Sequence, residues 1–235
     1  MPVCRQRNLL FVHIPKNGGQ SIEQAFFGDS FTTSVGKRSQ LSRLATLARR
    51  ATSSPDALTH LHGTLDYTLC AQHLTYVEIR LLGLVSEQFL KQAVSFSVVR
   101  NPYTRIVSSV FHFADEIFPG IGIEQPRSEP ELERAIEAWL DLEPTDHNMR
   151  AHRRQQSDFV LDLDGKIAVD EIIRFENLEE GYGRLCDRLN RERDSLPRIG
   201  KRKSRNGWTP TLSTAARRMV RDQFERDFEM FDYPL

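Results

Sequence analysis

The chain has 235 residues, 32 Lys and Arg against 32 Asp and Glu, and 39% hydrophobic residues. That length suffices for one sizeable core, and the charge balance and ordinary apolar content exclude a disordered chain and a protein that coats nucleic acid. The three cysteines, Cys4, Cys70 and Cys186, lack paired spacing, which argues against a disulfide framework or zinc site and for a reducing compartment.

No apolar run approaches the roughly 20 residues of a membrane span. Residues 1–8 lead almost at once into a strand-like run, so no signal peptide is expected. The expectation is a cytoplasmic, bacterial protein, or one of the Golgi lumen if an anchor has been removed.

The first predicted element is the apolar strand 8–14, Asn8-Leu9-Leu10-Phe11-Val12-His13-Ile14. It runs into the turn Pro15-Lys16-Asn17-Gly18-Gly19-Gln20-Ser21, and Ser21 to Phe27 reads as a helix. Strand, glycine turn and helix in that order make an anion site. Glycines expose backbone N–H groups, the helix N-terminus adds a partial positive charge, and Lys16 adds a full one. It is not a Walker A loop, because Lys16 precedes Gly18 and Gly19 instead of following the last glycine.

Ser39–Arg50 carries Leu41, Leu44, Leu47 and Ala48 at helical spacing, with Arg43, Arg49 and Arg50 off that stripe; Ser53-Ser54-Pro55 marks a loop. Val94–Val99 is a second β-rich run, ending in Arg100-Asn101-Pro102-Tyr103, with a helix expected from Pro102 through Phe111. Arg100 thereby falls at the carboxyl end of a strand, where open α/β sheets place ligand groups, and its planar fork suits phosphate. Glu131–Leu142 reads as an amphipathic helix burying Leu132, Ala135, Ile136, Trp139 and Leu140. Asp162–Lys166 reads as a turn, Glu176–Asn190 as a helix, and Thr211–Phe231 as one long terminal helix capped by Ser213. Residues 191–205 hold seven basic side chains against two acids, and 115–145 nine acids against two arginines; each reads as a solvated face.

The runs FVHIPKNGGQS (Phe11–Ser21) and VVRNPYTRIVS (Val98–Ser108) together resemble the carbohydrate sulfotransferases that include the heparan sulfate 2-O- and chondroitin enzymes. Asn17 and Gln20 stand where that family commonly has threonines. The similarity continues through Phe159–Leu189, with FVLDLDGKIAVDEIIRFENL, and ends at Asp227-Phe228-Glu229-Met230-Phe231-Asp232-Tyr233. The resemblance implies a single α/β domain over 1–235, P-loop-like, with a central parallel sheet flanked by helices. It also implies sulfuryl transfer from 3′-phosphoadenosine-5′-phosphosulfate to a hydroxyl of an acceptor, a glycan or glycolipid, without a metal and without nucleic acid.

By residue, the resemblance implies that Lys16, Asn17, Gly18, Gly19, Gln20 and Ser21 grip the 5′-phosphosulfate, with Lys16 stabilising the leaving oxygen. Arg100 and Ser108 map onto 3′-phosphate ligands, and Lys203, Ser204 and Arg205 fall in a loop that closes over the nucleotide. Gln72-His73-Leu74-Thr75-Tyr76 is similar to a segment whose histidine takes the acceptor proton, with Gln72 where glycine is common. His73 is therefore the expected general base, with His60 and His62 as alternatives, while His13, inside the strand run, reads as structural. His152 and Gln155 sit near a family segment lining the acceptor cleft, with Arg154 where proline is usual. Two rival readings stay open at this point: a small-molecule kinase, and a non-catalytic nucleotide-binding protein on the same fold. Oligomeric state is not legible.

Overall fold

The computed structural model describes residues 3–4, 7–27, 73–83, 85–197, 199 and 208–235. The expected helix at 39–50, the loop at 53–55, His60, His62, Lys203, Ser204 and Arg205 lie outside the described residues. The chain divides into two compact units, Met1–Val99 with Thr145–Ile199, and Arg100–Pro144 with Gly200–Leu235.

The first unit is an α/β layer structure. Its sheet runs β1 (Val3–Cys4), β2 (Leu9–Val12), β3 (Val94–Val99) and β4 (Glu171–Arg174), in that spatial order. The parallel sheet expected from the sequence is present. β2 pairs with β3 in parallel, Leu9 opposite Val94 and Val12 opposite Ser97, and β3 pairs with β4 in parallel, Phe96 opposite Glu171 and Val99 opposite Arg174. Only the short β1 is antiparallel.

β2 reads as an unbroken apolar run because all four of its residues are buried, the pattern of a strand covered on both faces. On one face Leu9, Phe11, Phe96, Val98 and Ile173 form a core with Ile22 and Phe26 of α1 (Gly19–Phe27) and with Tyr182, Leu185 and Cys186. Phe11 and Phe96 stack across the strands with ring centroids 4.9 Å apart. Ser95 and Asp170 lock the entry to β3 and β4, the Asp170 carboxylate accepting from the Ser95 N–H at 2.7 Å and hydroxyl at 2.8 Å.

β2 stops at Val12, two residues short of the run expected to reach 14. The carbonyls at the end of this ladder are taken by side chains. Ser97 donates its hydroxyl to the Val12 carbonyl at 2.7 Å, and Asn17 donates its amide to the Val98 carbonyl at 2.7 Å. His13 and Ile14 stay buried but leave the strand.

Between α1 and β3 the described chain holds α2 (Tyr76–Leu81) and α3 (Glu87–Gln92). After β3 it enters the second unit with α4 (Pro102–Val110), α5 (Ala114–Ile117) and α6 (Glu129–Asp141). It returns to the first unit with α7 (His147–Arg153), α8 (Ser157–Val160) and, after β4, α9 (Leu178–Arg188). The expected turn at 162–166 is present, Leu161 and Ile167 bridging across it.

The second unit is helical, with α4 and α6 packed on each other and on α10 (Thr214–Gln223). Trp139 is fully buried and stacks on Phe113 at 4.6 Å, the core role its spacing suggested. α6 starts two residues earlier than expected, at Glu129, because Ser128 caps it and Pro130 fits its first turn; Leu140 is only half-buried. Ser213 caps α10 as expected. The single terminal helix does not form, however. Phe224 leaves the helical region, at φ −122° and ψ 28°, and α11 (Glu225–Met230) restarts from it. Tertiary packing decides this break: Phe224 and Phe228 are both buried, Phe228 against Tyr103 at 4.9 Å and Phe224 under the Arg105 guanidinium at 5.7 Å.

Two glycines of α9 should respond oppositely to alanine. A methyl on Gly181 would run into the Ile173 side chain of β4, whereas the nearest atom to one on Gly183 is the flexible Arg193 guanidinium at 3.4 Å. Gly181→Ala is expected to destabilise by about 1–3 kcal/mol through overpacking, outweighing the ~1 kcal/mol gained in helix propensity. Gly183→Ala keeps that gain of up to about 1 kcal/mol. Urea unfolding of both variants measures the contrast.

Candidate functional site: the loop after the first parallel strand

The loop joining β2 to α1 lies wholly in the first unit. Lys16 adopts a left-handed φ of 68°, unusual for a residue with a side chain, and Gly18 a φ of 77°. A β-carbon on Gly18 would meet the Phe175 ring at 2.8 Å, so the position excludes larger residues twice over, by space and by backbone. α1 begins at Gly19, two residues before the expected start. The Ser21 N–H closes onto the Gly18 carbonyl at 3.1 Å, while the N–H groups of Gly18, Gly19 and Gln20 have no hydrogen-bond acceptor among the described residues. Those three amides, at the amino end of a nine-residue helix, are what the loop offers an anion.

The side chains of the loop do different work. Asn17 is only 1% exposed and points inward, its amide nitrogen donating to the Val98 carbonyl and, at 2.8 Å, to Gln156 Oε1. It ties the loop to β3 and to the start of α8. Ser21 is buried and its hydroxyl accepts the Ile199 N–H at 3.2 Å, which pins residue 199 to the first turn of α1. Gln20 is exposed and Lys16 half-buried.

Histidines gather beneath the loop. His13 is 4% exposed and Glu23 7%, and the His13 Nδ1–H donates to Glu23 Oε1 at 2.6 Å. A β-carbon on Gly19 would overlap the His13 imidazole, so glycine is what lets the helix start lie on that ring. His73 Nδ1 lies 3.0 Å from the His13 main-chain carbonyl. A carbonyl only accepts, so Nδ1 carries the proton and Nε2 presents its lone pair. The His73 ring stands edge-on to His13 at 4.6 Å and to His152 at 5.5 Å. Burial first, and then the neighbouring His13 and His152 rings, hold the His73 imidazolium well below its usual 6.5. His73 is thus neutral at neutral pH, with one basic nitrogen.

The segment carrying His73 is itself braced. Thr75 and Glu78 form a reciprocal cap at the start of α2: Thr75 Oγ1 accepts the Glu78 N–H at 3.1 Å and Glu78 accepts the Thr75 N–H at 2.8 Å. The second Glu78 oxygen, in a residue with no exposed surface, accepts from Arg154 at 2.8 Å. Arg154, standing where the resembled family has proline, thereby neutralises a buried carboxylate. The Thr-x-x-Glu signature of this cap is plain in the sequence and marks the helix start that follows His73.

Arg100 and Ser108 belong to the second unit. Arg100 follows β3 directly, and its Nε donates to Thr104 Oγ1 at 2.9 Å; Ser108 is half-buried on α4. Among the described residues no group of His, Cys, Asp and Glu is set to hold a metal ion, and no helix is long and apolar enough to cross a membrane.

The fold is thus mixed α/β, with a parallel sheet whose first strand leads through a lysine and a glycine turn into a helix amino end beside the half-buried His73. The sequence profile of the Sulfotransferase family matches residues 1–234, and the chain belongs to that family. Neither a curated protein nor a solved structure matches it.

The tautomer and the pKa direction of His73 are open to direct measurement. In a ¹⁵N NMR titration its imidazole should titrate below pH 6.5, with the proton on Nδ1 throughout the neutral range. Since the folded value lies below the unfolded one, the unfolded chain binds the proton first as pH falls. The stabilisation contributed by neutral His73 is therefore complete above about 6.5 and is lost below it.

Proposed function

We propose that the protein transfers a sulfuryl group from 3′-phosphoadenosine-5′-phosphosulfate to a hydroxyl of a carbohydrate acceptor, with His73 as general base. Family membership supports sulfuryl transfer, and one observation carries the choice of base: the His73 Nδ1–H is bonded to a carbonyl, which leaves Nε2 as the nitrogen able to accept a proton. The amides of Gly18, Gly19 and Gln20 grip the 5′-phosphosulfate, and Lys16 supplies a compact positive charge where the bridging oxygen of the leaving group becomes negative. The acceptor oxygen attacks sulfur as its proton passes to His73 Nε2, and the bond from sulfur to the bridging oxygen breaks, releasing adenosine 3′,5′-bisphosphate. Arg100 and Ser108 are the proposed 3′-phosphate ligands, and Lys203, Ser204 and Arg205 further phosphate contacts. Ile199, pinned to Ser21, brings the chain to within five residues of that basic segment.

A donor-dependent sulfation screen over simple glycans, glycolipids and phenols tests the activity. For the donor, adenosine 3′,5′-bisphosphate should bind without metal and far more tightly than AMP. Arg100→Ala should remove most of that preference, a loss of about 1.5–3 kcal/mol for one charge-assisted contact. Calorimetric titration with the two nucleotides decides it, and equal wild-type affinities would overturn the donor assignment.

Lys16 and His73 should fail differently. Lys16→Ala is expected to lower turnover strongly and weaken donor binding as well, because the charge touches the donor in both ground and transition states. His73→Ala should leave nucleotide affinity nearly intact and cut turnover by roughly 10²–10⁴-fold, the usual worth of a positioned base. The acid limb of the wild-type rate should lie below pH 6.5 and disappear in His73→Ala.

A further inference from the structure

His13 occupies a position that the reaction scheme does not use. Three of its parts make three different contacts. Its Nδ1–H is fixed by Glu23 on α1, its ring lies where a Gly19 side chain would be, and its main-chain carbonyl receives the His73 Nδ1–H. Its ring also meets the edge of His73 and stacks on Phe11 at 5.1 Å, so it is held from the core side as well. The Glu23–His13 pair is buried, where a hydrogen bond to a charged group is strong and its loss costly.

We propose that His13, set by Glu23, is a positioning residue for both halves of the transfer, supporting the anion-binding amides through Gly19 and orienting the base through its carbonyl and ring edge. The proposal rests on the roles given above to the loop and to His73. It does not make His13 a proton relay. The link between the two histidines is a main-chain carbonyl, which cannot pass a proton, so the proton taken by His73 Nε2 leaves by Nε2. What His13 transmits is geometry: one residue, by its ring and its carbonyl, bridges the donor loop and the acceptor's base, and misplacement of about 1 Å in such a pair costs on the order of 10²-fold in rate.

The test uses His13→Asn in the full chain, since the Asn amide replaces Nδ1–H as donor to Glu23 and preserves the buried pair while removing the ring. Adenosine 3′,5′-bisphosphate affinity should fall roughly fivefold, the worth of one lost neutral contact. Turnover should fall by about 10- to 100-fold in the wild-type background, and by no more than the loss of nucleotide affinity in the His73→Ala background, because the base it orients is already gone. The ¹⁵N signature of His73 should change from a single Nδ1–H tautomer to a mixture. Glu23→Gln, which keeps the imidazole but weakens its anchor, should give the same pattern at smaller amplitude and covers the case in which His13→Asn does not fold. Unchanged nucleotide affinity, or an equal turnover loss in both backgrounds, would overturn the proposal. The ¹⁵N measurement needs neither donor nor acceptor. A wild-type protein that ignored adenosine 3′,5′-bisphosphate would therefore strike the sulfuryl-transfer reading, whereas an unaltered His73 tautomer would strike the role of His13 alone.

Discussion

The parallel pairing of β2 with β3, and the way it ends, is the constraint on which the site depends. A parallel ladder leaves carbonyls at its carboxyl edge that must find donors once the strands diverge. Here Ser97 supplies one to Val12 and Asn17 one to Val98. The second bond reaches forward out of the sheet, so the residue beside Lys16 is anchored to the neighbouring strand. The left-handed Gly18 has no room for a side chain, and the left-handed lysine near it is a strained position that persists only where the surroundings over-determine it. Asn17, Gln156, Phe175 and His13 together do so.

The same economy shapes the histidine. Many catalytic imidazoles are oriented by a carboxylate, which stabilises the protonated ring and raises its pKa. His73 is oriented by a carbonyl, a dipole without net charge, and its ring is enclosed by two further imidazoles. Burial and then the two flanking imidazoles favour the neutral form, against a smaller opposing pull from the carbonyl. An imidazole of this kind is less basic than a carboxylate-paired one but is unprotonated at neutral pH. Of the carboxylates on the elements described around His73, Glu23 pairs with His13, and Glu78 with Thr75 and Arg154. Both carboxylates hold residues that support His73: the strand end that carries its carbonyl partner, and the helix start that follows it.

Local chemistry determined much of this protein before any tertiary contact was known. The apolar run 8–14, the glycine turn and the β-rich run 94–99 fixed the strand–loop–helix order, because burial on both faces and positive φ leave few residue types eligible. The cap at Ser213, the helix start at Pro102, the stripe of Leu132, Ala135, Ile136 and Trp139, and the position of Arg100 after β3 were equally legible. Terminal boundaries were less so. The helix at 129 and the stop of β2 at Val12 depended on a proline and on side-chain donors from residues 97 and 17. Phe224 broke a helix that its own sequence would have continued, since the packing of Phe228 on Tyr103 outweighs the local preference. What only the tertiary structure decided is which atoms of the site meet. Periodicity makes His13 a strand residue and Asn17 a loop residue, but it cannot say that one props Gly19 while its carbonyl turns His73, or that the other faces inward to β3. Those contacts join residues 60 and 81 positions apart. A sequence pattern reports what each residue needs from its near neighbours, and the partners here are supplied by the way the sheet brings distant segments together.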